Sequence, residues 1–150
     1  MKKITKAILT LLLLFTLPSN SVSAKNYDFA RNQQELDLLY AIVMIESGTV
    51  EEGNQAVAST ILNRVNDDRF PNTITDVITQ PYQFSSYGHD VSWQYMNGNV
   101  PQSVKDNVDL VLKNGPIHNL HFFWAEWYYN QSGRWDAEAV NYGGNVFFEF

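Results

Sequence analysis

Glu46 closes the apolar run Ile42-Val43-Met44-Ile45 and is followed at once by Ser47 and Gly48. A carboxyl group at the end of a buried helical stretch resists ionisation, because burial disfavours the charged form. Its pKa rises toward the range where it can donate a proton near neutral pH. Cleavage of a glycosidic bond needs such an acid on the leaving oxygen, and general acid help contributes roughly 10²–10⁴-fold. The competing reading is a solvated helix-end glutamate with no chemistry.

Other chemistries have less to work with. The histidines are His89, His118 and His121, and there is no cysteine. His118-x-x-His121 has a possible ligand spacing, but two imidazoles are one short of a catalytic zinc set, and Asp90 or Glu126 would have to supply the third. Two histidines in an aromatic strand or loop is the plainer reading, and neither a metal nor a cofactor is expected. A Gly-x-Ser-x-Gly elbow is absent, so nothing points to a serine nucleophile. Trp93, Trp124, Trp127 and Trp135, with eight Tyr and nine Phe, fill a small core or form platforms for sugar rings.

These residues must be held by a small set of elements. Leu36, Leu39, Tyr40 and Val43 recur at helical spacing and predict a helix over Gln33–Ser47, stopped by Gly48 at a C-cap position. Thr49 with Glu52 reads as a capping box for a second helix, about Val50–Asn66, with Val57, Ala58, Ile61, Leu62 and Val65 inward. Thr73 with Asp76 caps a short helix through Ile78. Tyr82–Gly98, rich in Gly, Ser, Asn and aromatics, reads as a long functional loop. Pro101–Asn114 is a further helix. His121–Tyr129 is an aromatic run compatible with a strand, Asn130–Trp135 a turn, and Val146–Phe150 a closing strand. The sum is α+β, mainly α, with a small β element late in the chain.

The chain has 150 residues, enough for one domain with its own core. Lys2, Lys3 and Lys6, the apolar run Ala7–Leu17 and the small-residue triplet Val22-Ser23-Ala24 read together as a secretory signal peptide over residues 1–24. The alternative is an uncleaved anchor, for which the run is short. The remaining domain, 25–150, is expected to be secreted to the cell envelope, without a stable membrane anchor and as a monomer. Cleavage removes three lysines and no acids, taking the net charge from -6 to about -9. No basic stretch is left to neutralise phosphates, which argues against nucleic acid. An anionic polymer would have to be held by hydrogen bonds and stacking. A fold without disulfides rests on its core alone.

Longer motifs carry a resemblance. Glu46-Ser47 before a Gly-containing turn resembles the Glu-Ser motif of lytic transglycosylases in the lysozyme-like superfamily. Glu46, Gly48, "EEGNQAVASTILNRV" (Glu51–Val65), "FPNTITDVI" (Phe70–Ile78), "QFS" (Gln83–Ser85) and "YGGNVFFEF" (Tyr142–Phe150) resemble the spore cortex-lytic, cell-wall hydrolase family over essentially the whole domain. That family often has a second glutamate soon after the first. Here Thr49 falls near that position and Glu51 and Glu52 lie further on. No peptidoglycan-binding repeat is read upstream, so targeting is expected from the cleft or a partner.

The resemblance implies a lysozyme-like, lytic-transglycosylase-like single domain. Its substrate would be the peptidoglycan glycan strand, cut between N-acetylmuramic acid and N-acetylglucosamine, with Glu46 as general acid and base. It implies substrate contacts for Ser47, Gln83, Phe84 and Ser85. Tyr129-Asn130 resembles the Tyr-Asn of transglycosylases, although Phe123–Ala125 can occupy the same place. Trp124, Trp127 and Trp135 are stacking candidates. Arg64 is expected to pair with an acid and support the fold. Hydrolysis stays open if Asp90, Glu126 or Asp136 serves as a second carboxylate. A zinc amidase and a non-catalytic wall-binding domain are the rival classes.

Overall fold

The structure, a computed structural model, describes residues 33–88 and 90–150. The expected signal peptide, the polar lead-in and His89 lie outside them. The order is α1 (Gln33–Ser47), α2 (Glu51–Val65), α3 (Ile74–Thr79), α4 (Asp90–Gln94), a π-helical turn (Tyr95–Asn99), α5 (Gln102–Asn114), β1 (Phe122–Ala125), α6 (Glu126–Gln131), β2 (Val140–Tyr142) and β3 (Asn145–Phe148). This is the mainly helical α+β architecture expected, with its β element late. Among the described residues no helix is long and apolar enough to cross a membrane.

α1 is the central post. Leu38 through Val43 are all buried, so this stretch is apolar on every side rather than along one stripe. α2, α3, α5 and the π-helical turn pack around it. α2 answers with Ala56, Val57, Ala58, Ile61 and Leu62, none of them exposed. Burying each such large aliphatic side chain contributes about 1.5–3 kcal/mol. α5 closes the bundle with Val104, Val108 and Val111.

The sheet is three-stranded and antiparallel, in the order β1-β3-β2. Its register pairs Phe122 with Phe148, Trp124 with Val146, and Tyr142 with Asn145. Central β3 is buried throughout and joins sheet to bundle through Phe147, which is 0% exposed.

Several expectations change. The N-cap of α2 is Val50, with no side-chain capping bond, so Thr49 and Glu52 form no capping box. The first turn instead holds its N-terminus through Asn54 N–H to Val50 O at 2.9 Å. Thr73 does cap α3, accepting from the Asp76 N–H at 3.0 Å. The expected loop Tyr82–Gly98 contains α4 and most of the π-helical turn, held because Tyr95 and Met96 pack on the core. The aromatic run turns from strand to helix at Glu126, whose N–H bonds Gly144 O at 2.9 Å. β2, Val-Asn-Tyr, alternates but is only three residues long, too short for a pattern to announce it.

Candidate active site

α1 ends where its apolar run ends. Gly48, at φ 61, stops the helix in a conformation that costs glycine little, and its N–H bonds Met44 O at 2.8 Å. Glu46 therefore stands in the last turn, partly buried at the rim of the core. Burial holds its carboxyl above the ordinary glutamate range, opposed by a hydrogen bond that Ser86 Oγ donates to Oε1. Asn145, the first residue of β3, donates Nδ2 to the Glu46 carbonyl at 3.0 Å, tying the sheet to the end of α1.

Beneath the acid lies a lock that sequence reasoning missed. Asn54, fully buried in α2, donates to Ser47 Oγ at 2.8 Å and Gly48 O at 2.9 Å, and accepts from Asn107 Nδ2 at 3.1 Å. An amide on a helix's inward face was the available signal, since such a group must be satisfied. A second device is steric. Gly53 and Gly143 lie back to back: a Cβ on Gly143 would stand 3.1 Å from Gly53 Cα and 2.9 Å from Val50 Cγ1. This contact sets the β2–β3 turn directly against α2, beside Ser47.

A cleft of about 470 Å³ opens over Glu46. Tyr82, Gln83 and Ser85 line it from the segment after α3, Phe122 to Ala125 from β1, and Asn145, Arg64 and Phe150 complete it. Tyr82 is fully exposed and has φ 66, a conformation uncommon for an aromatic residue. Glu46 is the one acidic side chain lining this cleft among the described residues. A larger cavity of about 560 Å³ lies at the opposite end of α1, beside Trp93 and Tyr87. Its buried Glu35 accepts from Thr75 N and Oγ1, each at 3.3 Å, and so is engaged at the start of α3. The smaller cleft is the one lined by the carboxyl that burial holds above its ordinary range.

The structure brings Glu46, Gln83, Ser85 and Trp124 together. It sends the other candidates elsewhere. Ser47 Oγ donates to Val43 O at 2.8 Å and faces Asn54. Phe84 is core, 5% exposed, and packs on Phe123. Tyr129 turns its hydroxyl to Asp136 Oδ2 at 3.0 Å and Asn130 is exposed on α6. The cleft wall is made by Phe123–Ala125 instead. Thr49, Glu51, Glu52, Asp90 and Glu126 are exposed, and Asp136 is held by Arg134 below the usual carboxylate range. Trp127 and Trp135 are exposed away from the wall.

The histidines part company. His118 Nε2 meets Ala56 O at 3.0 Å and Nδ1 accepts from Leu120 N–H at 3.2 Å, which defines a neutral ring; burial pulls its pKa down to about 4. His121 faces Glu149 at 2.7 Å and Asp67 at 3.4 Å. Among the described residues no three His, Cys, Asp or Glu side chains gather around a metal-sized point. Arg64 makes no ion pair. Its Nε donates to His121 O at 2.7 Å beneath the aromatic sheet, and Glu149 acts on its charge only from beyond ion-pair distance.

A bundle around a buried helix that ends on a carboxyl-bearing cleft, closed by a small late sheet, is a lysozyme-like domain. The cell wall hydrolase family model matches residues 48–148, and the chain belongs to that family. Glu46 lies just before the matched stretch. A curated relative, a spore cortex-lytic enzyme of Oceanobacillus iheyensis, is 33% identical over 79 residues, which cover 52% of this chain. The match spans only 29% of that relative's length. Two solved structures are similar. The catalytic domain of the germination-specific lytic transglycosylase SleB from Bacillus anthracis matches at TM-score 0.59 and 26% identity, over 80% of this chain and 98% of that one. The catalytic domain of the Bacillus cereus SleB protein matches at TM-score 0.59 and 28% identity, over 79% and 91%.

Proposed function

We propose that this chain cleaves the peptidoglycan glycan strand as a lytic transglycosylase, at the bond between N-acetylmuramic acid and N-acetylglucosamine. The observation that carries the reading is Glu46, its carboxyl held by burial above the ordinary glutamate range, in an aromatic-walled cleft that no second acidic side chain lines among the described residues. Glu46 gives its proton to the glycosidic oxygen as the bond to the anomeric carbon breaks and the electron pair leaves with that oxygen. The carboxylate then takes the proton of the muramic 6-hydroxyl, whose oxygen bonds to the anomeric carbon. A 1,6-anhydro ring results, the acid is restored and no water is consumed. A hydrolase would place a second carboxylate about 5–9.5 Å from the first. The family and the SleB likeness support the same substrate class. Secretion after removal of residues 1–24, action in the cell envelope and a monomeric state belong to this reading.

The test is digestion of purified peptidoglycan by the wild type and by Glu46→Gln, with mass spectrometry of the soluble fragments. The expected products are lighter by one water than hydrolytic fragments, and the variant loses about 10²–10⁴-fold in rate. Reducing ends would replace the transglycosylase reading with a muramidase. Undiminished digestion by the variant would remove Glu46 from the mechanism. Binding without any cleavage would leave a wall-binding domain.

A further inference from the structure

Arg64 lies near the end of α2, is 3% exposed, and forms part of the wall of the cleft that holds Glu46. Its surroundings are unusual for a buried cation. The rings of Phe70, Phe84 and Phe122 stand 5.3, 5.6 and 5.3 Å from the guanidinium carbon. Nε is spent on the His121 carbonyl. Glu149 acts on its charge from a distance, but among the described residues no carboxylate stands within ion-pair reach, and Nη1 is buried with no partner. Buried charges are normally paired, and buried N–H groups normally bonded. The aromatic faces offset part of the cost of the charge, but they give Nη1 no acceptor. A ligand would.

The charge of the cleft says which kind. Among the described residues its lining holds one acidic and one basic side chain, Glu46 and Arg64. Burial disfavours the charged form of Glu46, which leaves Arg64 as the cleft's cationic side chain in a chain whose net charge is -6. We infer that Arg64 is a recognition residue for a carboxylate on the glycan substrate, carried by the substituent on the muramic ring. This rests on the peptidoglycan reading. The carboxylate has two sources: the lactyl group itself on a bare strand, or the stem peptide attached through it. A guanidinium suits the task because its planar fork leaves the Nη groups for a carboxylate while Nε stays anchored. Phe122 belongs both to the cleft wall and to the ring cage, so the guanidinium and the cleft share one wall.

The experiment measures binding to Glu46→Gln, which holds strands without turning them over. Three oligomers of equal length are compared: peptide-stripped strands with free lactyl carboxylates, the same strands with those carboxylates converted to primary amides, and peptide-bearing strands. The carboxylate form should bind at least about tenfold more tightly than the amide, as a charge-assisted hydrogen bond provides. Adding Arg64→Met should bring the ratio to near one, and Arg64→Lys should keep part of it. Both affinities come from one preparation, so an unfolded fraction does not move their ratio. If peptide-bearing strands show the Arg64-dependent gain and stripped strands do not, the stem peptide is the source, and the reverse result assigns the lactyl group. A ratio unchanged by Arg64→Met, or no Arg64-dependent gain on any strand, overturns the inference while wild-type digestion leaves the peptidoglycan reading intact. Failure of the wild type to bind or cut any strand removes both.

Discussion

Adding one methyl group at Gly143 should damage this protein more than adding one at its neighbour Gly144. Both glycines have positive φ, 62 and 87, so alanine at either incurs a conformational cost of about 1–2 kcal/mol. Only Gly143 meets anything. Its added Cβ would stand 2.9 Å from Val50 Cγ1, 3.1 Å from Gly53 Cα and 3.2 Å from Gly53 N. The valine can rotate; the α2 backbone cannot. Overpacking against fixed atoms adds about 1–3 kcal/mol, so Gly143→Ala should cost about 2–5 kcal/mol and Gly144→Ala about 1–2. At about 4 °C per kcal/mol for a domain of this size, thermal melts should separate the two variants by roughly 4–12 °C. The clash also pushes the β2–β3 turn away from α2, carrying Asn145 off the Glu46 carbonyl. Turnover of peptidoglycan at a temperature where both variants remain folded should therefore fall for Gly143→Ala and hold for Gly144→Ala. Equal melting temperatures, or equal turnover, would refute the argument that this glycine pair sets the cleft.

Two further outcomes follow from the geometry. His118 is neutral and buried with its pKa lowered to about 4 from 6.5, so the unfolded chain binds the extra proton. Its contribution is complete above pH 6.5 and is lost as pH falls toward 4, up to about 3 kcal/mol; urea melts across that range should show the loss in the wild type and a flatter profile in His118→Gln. Tyr82→Gly should move stability and binding in opposite directions. Relief of φ 66 should leave the melting temperature equal or higher, while loss of the exposed ring should weaken glycan binding severalfold, and a parallel fall in both would assign Tyr82 to the fold instead.

Much of this was legible because periodicity and a single acid speak locally. The buried face of α1, its stop at Gly48 and the cap at Thr73 follow from side-chain spacing and turn chemistry alone. What was not legible depends on partners distant in the chain. Ser47 looked like a substrate contact because it adjoins the acid, yet a helix turns successive residues by about 100°, and Ser47 faces Asn54. Tyr129 and Trp124 are equally aromatic; the one-sided β1–β3 pairing decides which reaches the cleft. Arg64 looked like half of a salt bridge, and only the folded arrangement shows it caged by three distant rings with Glu149 beyond ion-pair distance. The glycine pair Gly53–Gly143 spans two motifs that read independently.

The polar partner of the Glu46 carboxyl, Ser86, and the flanking Gln83 and Ser85 come from the segment after α3, not from the helices that carry the acid. Acid strength is thus linked to occupancy. A sugar filling the cleft strips remaining water from Glu46 and strengthens its hold on hydrogen ions. Complex formation near neutrality should therefore draw a fraction of a hydrogen ion from the medium, seen as a binding enthalpy that depends on the ionisation heat of the buffer. In Glu46→Gln that buffer dependence should vanish. On the proposed reading, the arriving substrate raises the fraction of Glu46 that holds the proton it donates.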